Sequence, residues 1–459
     1  MSWEVFRRTP QAPRSPRRGE VGSARVAVAV ALLPLVLFAD AVVGRVVFFE
    51  RDIYAYWVPA VQAFVRAIAE GAWPVWDPLT NFGRPLLADP SMQIAYPLTW
   101  LNLALGPGAY YTLFVVSHCA WAALGTLLLA RAWGLGVAAA FWAAACWTLS
   151  GPFLSVTSLY HHFASAAWMA WVLLALERVI DRPGGRSAAW LAAAAAGMAL
   201  AGSADICVMT AAAALARVGF AIASREERAR IAPAALAGAV AGACALAALI
   251  SAVQWWPTLA HLTVGSRGAA GPAASMYWSA HPATLLDVVF PGLVAEMPLG
   301  TTWRGAVFEG RGPLLRSMYV GVPAVGLAIV ALCGRWRLRW LLAGLAAAFV
   351  IGALGRFTPV YPALAGLPVV RLLRFPVKLA LPATFFLCLL SGAGVDGLRQ
   401  EWAGRQRRWM ILLAVALGVV AVVALAGAAA APRLAAALAP SLEPSPPMEV
   451  PDRLRSAFA

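Results

Sequence analysis

Residues 109–130 read AYYTLFVVSHCAWAALGTLLLA, with no charged side chain between Gly108 and Arg131. A helix crossing the hydrocarbon core of a bilayer needs roughly 20 such residues, so this stretch reads as a transmembrane span. Working outward, comparable stretches lie at about 24–44, 136–152, 161–180, 187–204, 206–222, 232–252, 317–333, 338–354, 376–396 and 409–430. That makes eleven predicted spans, the fifth and sixth separated only by Gly202, Ser203, Ala204 and Asp205. The composition agrees: 61% of the 459 residues are hydrophobic and 12% are charged, where a soluble domain carries roughly 25% charged residues. The mean hydropathy is +0.74, and the 39 Gly and 32 Pro suit membrane helices, which tolerate both. The predicted fold class is an all-α polytopic membrane protein.

The net charge is +15, from 36 Lys and Arg against 21 Asp and Glu. Nearly all the cations are arginines, Lys378 being the one lysine, and they fall in small groups between apolar runs rather than on a continuous basic face with interleaved aromatics. This excludes nucleic acid as a partner. Cys119, Cys146, Cys207, Cys244, Cys333 and Cys388 lie in or beside apolar segments without a CxxC spacing, and read as small hydrophobes.

Orientation follows from the short loops, because Lys and Arg are retained on the cytoplasmic side. Alternate connections carry Arg131, then Arg178, Arg182 and Arg186, then Arg225, Arg228 and Arg230, then Arg335, Arg337 and Arg339, then Arg399, Arg405, Arg407 and Arg408. The N-terminus is therefore predicted inside and, with eleven spans, the C-terminus outside. Residues 1–23 read as a disordered basic cytoplasmic tail, 24–431 as the transmembrane domain, and 432–459 as a loose Pro-rich outer tail. A competing reading takes Ala39, Asp40 and Ala41 as a small-residue cleavage site after a signal segment.

Three outer segments are longer than turns: about 45–108, 253–316 and 355–375. Long structured loops often carry function. After Glu50, Arg51 and Asp52, the first has apolar residues at Tyr54, Trp57, Val58, Val61, Phe64, Val65 and Ile68, with Gln62, Arg66 and Glu70 on another face. That is the pattern of an amphipathic interfacial helix, ended by Gly71 and Pro74.

Further motifs follow in order. Gly71, Pro74, Trp76, Asp77 and Pro78 form one turn; Asn81, Gly83 and Pro85 a second; and Gln93 precedes Tyr96 and Pro97. Gln254 to Pro257 leads to Ser266 and Arg267, His281 and Pro282 lead to Phe290, Pro291 and Gly292, and Arg371, Arg374, Phe375 and Pro376 enter a span ending at Gly392 and Gly394. In this order, over about residues 24–398, the chain resembles the bacterial YfhO-like membrane proteins. That family is similar to the GT-C class of membrane glycosyltransferases, which take a sugar from a polyprenyl-phosphate carrier and place a catalytic acid in the first outer loop. The resemblance implies a GT-C-like bundle in the bacterial cytoplasmic (inner) membrane, a polyprenyl-phosphate-linked sugar as donor, and a lipid or cell-envelope polymer as acceptor on the outer face. No organic cofactor is implied, and a divalent cation stays open.

Sugar transfer needs a base for the acceptor hydroxyl and cations for the departing phosphate. Asp52 is the candidate base, although an Asp directly before an apolar-periodic helix also fits an N-cap. Glu50 either assists or pairs with Arg51. Arg371, Arg374 and Lys378, with Arg267 behind them, are candidate phosphate ligands, against the alternative of cations snorkelling at a helix end. His161 and His162 are candidate donor contacts without an acidic partner at metal-ligand spacing. Trp76, Asp77, Asn81, Gln93 and Tyr96 are candidates for a sugar-binding surface, while Trp76 and Tyr96 also suit an interfacial aromatic belt. Asp205 and Gln254 read as site-lining polar groups near span ends. Two other functions compete: a transporter or flippase of a lipid-linked substrate, and a non-catalytic scaffold.

Overall fold

The computed structural model describes residues 18–80, 82–229, 231–264, 276–295, 301–310, 312–364, 367 and 373–399. These form an all-α polytopic membrane protein. Six helical segments are long and apolar enough to cross a bilayer: Pro107–Ala132, Val137–Ser158, Tyr160–Asp181, Ala204–Ala223, Pro233–Ile250 and Pro376–Arg399. Ten of the eleven predicted spans have a helical counterpart. We number the helices α1 (Arg18–Leu37), α2 (Val58–Ala69), α3 (Pro107–Ala132), α4 (Val137–Thr148), α5 (Tyr160–Asp181), α6 (Gly185–Leu200), α7 (Ala204–Ala223), α8 (Pro233–Ile250), α9 (Ala252–Val264), α10 (Val322–Cys333), α11 (Arg339–Ala353) and α12 (Ala380–Arg399). The eleventh expected span, 409–430, the expected tail 432–459 and residues 1–17 of the expected tail 1–23 lie outside the described residues, whereas residues 18–23, expected to be disordered, form the first turns of α1.

Two spans differ from the expected runs of apolar residues. The third breaks after Thr148 and restarts as the short helix Gly151–Ser155. The eighth becomes helical only at Val322, because Ser317 to Gly321 is not helical and bonds to that break. Gly151 N–H donates to the Tyr319 carbonyl at 2.7 Å, and Ser317 N–H to Ser155 Oγ at 2.9 Å. Backbone groups freed at membrane depth must find internal partners, and these two irregular stretches supply each other.

Helix α12 is the buried axis, packed on α10, α4 and α11. Its close approach rests on two glycines. A Cβ at Gly392 would lie 2.7 Å from the Ala139 carbonyl oxygen, and one at Gly394 would collide with the Leu327 carbonyl; small residues at crossings let membrane helices touch.

The two ends of the bundle differ. At one, arginine-rich connectors gather: Arg217 on α7 makes a bidentate pair with Glu177 on α5 (2.6 and 2.9 Å) and bonds Glu227 at 2.9 Å, while Glu227 also takes Arg337 at 2.8 Å. At the other end, here called the loop face, lie the described residues of 45–106, 276–316 and 354–379.

Candidate functional site

The site is assembled around the start of the first loop. Residues Ile53–Trp57 form a single π-helical turn that runs into α2. Pro59, near the start of α2, has no N–H to continue a regular ladder. Trp57, Val61 and Phe64 are buried and Gln62, Arg66 and Glu70 exposed, as the periodicity predicts. Tyr54 departs from the expected apolar face and is exposed, because the wider i→i+5 turn shifts it out of phase with the stripe below.

Asp52 occupies the N-cap position of this turn, yet its side chain makes no capping hydrogen bond. It is exposed, and partial desolvation by the surrounding protein raises its carboxyl above the usual carboxylate range, with neighbouring Arg51 pulling the other way. The backbone at Arg51 is left-handed (φ +55°), and its guanidinium donates to the Leu314 carbonyl at 2.7 Å. Glu50 pairs not with Arg51 but with Arg316. The expected Glu50–Arg51 pairing is corrected on this point: the left-handed turn sends the two side chains to different partners. Glu50 and Arg51 thus dock the first loop on the second, and Arg316, exposed, is the cation paired with Glu50.

An aromatic run leads away from this acid group. Trp57 lies edge-on to Tyr111 (4.8 Å) and to Tyr160 (6.3 Å), Tyr160 to His161 (5.4 Å), and the His161 and His162 rings are 4.0 Å apart. His162 Nδ1 shares a 2.7 Å hydrogen bond with Ser203 Oγ, the N-cap of α7. Two residues on, Asp205 forms an ion pair with Lys378.

Lys378 is therefore buried rather than snorkelling. Its ammonium lies 5.2 Å from the Phe375 ring centroid, and Phe375 meets Trp278 edge-on at 4.7 Å. Both aromatics have left-handed backbones, φ +65° and +54°, a strain of the kind that concentrates at functional sites. Arg374 is exposed, its guanidinium over the same Phe375 ring at 4.9 Å. Arg371, Arg267 and Asn81 lie outside the described residues.

The other candidates are placed as follows. Trp76 is exposed. Asp77 is buried, paired with Arg84 at 3.6 Å across the two-strand hairpin β1 (Trp76–Asp77) and β2 (Arg84–Pro85). Gln93 is buried in a left-handed turn and donates to the Ala201 carbonyl at 2.7 Å. Tyr96 is buried rather than interfacial: it accepts from Trp168 Nε1 (3.1 Å) and meets His118 Nε2 at 2.8 Å, while His118 Nδ1 faces the Phe114 carbonyl at 2.7 Å. A cavity of about 230 Å³ adjoins this pair. Gln254 Nε2 donates to the Leu87 carbonyl at 2.8 Å. Gln93, Tyr96 and Gln254 thus pin the loop to the bundle, and Asp77 braces it. Among the described residues, no group of three or more His, Cys, Asp or Glu is placed to hold a metal ion.

Sequence reasoning missed Arg316 and Tyr111. Tyr111 lies four residues inside the next helix, a position that reads as core, and nothing local marks Arg316 as the partner of an acid in a different loop.

No family model and no curated protein matches the chain. Among solved structures it is similar to that of ArnT from Cupriavidus metallidurans bound to undecaprenyl phosphate, at 16% identity and a TM-score of 0.46, over 90% of this chain. The chain spans 66% of the length of that structure.

Proposed function

We propose that the protein is a GT-C-type glycosyltransferase of the bacterial inner membrane that moves a sugar from a polyprenyl-phosphate donor to a hydroxyl of a lipid or cell-envelope acceptor on the outer face, where the loop face lies. The observation that carries this reading is Asp52: an exposed carboxylate at a helix start, free of capping duty, with a raised proton affinity and the Glu50–Arg316 pair beside it. The order of YfhO-like motifs supports it.

In this mechanism Asp52 takes the proton of the acceptor hydroxyl as its oxygen bonds to the anomeric carbon. The bond from that carbon to the phosphate oxygen breaks, and polyprenyl phosphate departs with the electron pair. Arg316 meets the growing negative charge, which a guanidinium can do with two hydrogen bonds. Arg374 and Arg371 are further cations for the same phosphate, whereas Lys378 is held by Asp205.

The transporter reading has less support, because the ionisable pairs Glu177–Arg217 and Asp205–Lys378 are closed ion pairs rather than open carriers of charge. The test is to incubate purified protein with a panel of polyprenyl-phosphate sugars and follow release of free polyprenyl phosphate. Release that depends on Asp52 supports the assignment; no release with any donor and acceptor tried, by folded protein, counts against it.

A further inference from the structure

The hairpin of residues 73–85 is built inside out. Its two charged residues turn inward: Asp77 is buried, pairs with Arg84, and accepts from Leu79 N–H at 3.0 Å, while Arg84 lies 4.6 Å from the Tyr56 ring centroid. The Trp76 ring rests on Gly83, where a Cβ would come within 2.5 Å. What faces outward is apolar. Trp73, Val75, Trp76 and Leu79 are about half exposed or more, and Phe82 is fully exposed, held outward by a left-handed φ of +62°. From Gly71 to Gly83 the sequence has no charged residue except Asp77. A water-facing hairpin does the reverse, and contiguous apolar exposure on this scale marks a contact surface.

The two stems show where the hairpin stands. Downstream, Tyr96 meets His118, eleven residues into α3 and so roughly 16 Å from the start of that helix at about 1.5 Å per residue. Residues 93–103 therefore lie alongside the outer half of a span, and Trp100 of this segment packs on Trp73 at 5.5 Å. Upstream of that segment, the Leu87 carbonyl is held by Gln254, four residues beyond the end of α8. The upstream stem is thus tied just past the end of a span, two residues before exposed Trp256, while the downstream stem runs alongside α3 and carries exposed Leu101 and Leu103.

We propose that this hairpin docks into the bilayer leaflet on the loop face, with Trp73, Trp76, Leu79 and Phe82 in the boundary between headgroups and acyl chains. Tryptophan favours that zone, and an uncharged apolar surface gains there what it loses in water. A lipid surface fits better than a protein partner because the hairpin presents no charge pattern to read and its stems are held by membrane-spanning helices, one just past the end of α8 and one alongside α3. The docking does not depend on the proposed chemistry; it sets the height of α2 and Asp52 above the membrane.

The test uses full-length protein in phosphatidylethanolamine and phosphatidylglycerol vesicles, with the six native cysteines replaced by alanine and an NBD fluorophore on Phe82→Cys. Emission should be blue-shifted, quenched by lipids with a doxyl group near the top of the acyl chain, and protected from iodide. The same label on Gln62→Cys, on the polar face of α2, should show the opposite. If the label at 82 is open to iodide and indifferent to doxyl lipid, the proposal fails. Because the cysteine-free chain has its own folding risk, benzoylphenylalanine in place of Phe82 in the native background gives a second readout. Irradiation should yield lipid adducts; a crosslinked dimer, an adduct to another protein or no adduct would overturn the assignment.

Discussion

Asp52 is held at a helix start without serving as its cap, so its carboxylate is available for chemistry and its charge is poorly compensated. A carboxyl whose folded pKa is raised favours the folded state at low pH and loses that contribution as pH rises through the folded value, so at neutral pH charged Asp52 works against the fold. Asp52→Asn should therefore leave thermal stability in detergent unchanged or slightly higher while cutting transfer roughly 100-fold or more. A base must be deprotonated, so activity should fall with acid along a limb centred above the ordinary carboxylate range, and a pH–rate profile measures it. Normal turnover by Asp52→Asn, or its failure to fold, would return this residue to a structural role. Arg316 makes a second prediction. Arg316→Lys keeps the charge but loses the fork, and should lower turnover roughly tenfold; Arg316→Ala should weaken donor binding as well. Glu50 and Asp52 were legible because acids just ahead of an amphipathic pattern are locally visible. Arg316 was not, since its meaning comes from loops brought together over a separation of 263 residues between Arg51 and Leu314.

Among the elements, the sharpest constraint lies where the α6–α7 turn meets the first loop. Gly202 has φ +97°, and a Cβ there would collide with the Pro90 carbonyl. The short helical turn Pro90–Met92 is capped by Asp89, which accepts from Ser91 N–H at 3.0 Å and from Tyr56 Oη at 2.8 Å. Gly202→Ala should thus cost about 1–3 kcal/mol from the backbone alone and also push Pro90 away. That displacement should lower the melting temperature in detergent and increase protease cleavage within 71–106; an unchanged melting curve would show that the turn can shift freely. Hydropathy located the helices themselves well, because each needs a continuous apolar run. It could not show the break after Thr148 or the non-helical start of the eighth span, where hydrogen bonds between distant segments override the local pattern. Gln93, Tyr96 and Lys378 also read as surface chemistry, since only the packed structure supplies the Ala201 carbonyl, His118 and Asp205 that occupy them.

The whole molecule divides into an end rich in arginine and an end made of loops, and this division carries the topology. Arg131, Arg178, Arg182, Arg186, Arg225, Arg228, Arg335, Arg337, Arg339 and Arg399 all sit at or between helix ends on one side. The contacts join those connectors: Arg337 reaches Glu227 at 2.8 Å, Trp336 Nε1 the Trp133 carbonyl at 3.2 Å, and Asp396 the Gly136 N–H at 2.5 Å. Arginines are retained in the cytoplasm during insertion, so this face should be inside, and the Glu50, Asp52 and Arg316 group outside, where a lipid-linked donor and a cell-envelope acceptor would meet. In intact cells carrying a cysteine-free background, an impermeant maleimide should label Gln62→Cys directly and Glu226→Cys only after the membrane is opened; both positions are exposed on the protein surface. Labelling of Glu226→Cys from outside would invert the bundle. It would put the Asp52 site in the cytoplasm, where nucleotide sugars are the available donors, and the proposed lipid-phosphate donor would lose its basis along with the orientation.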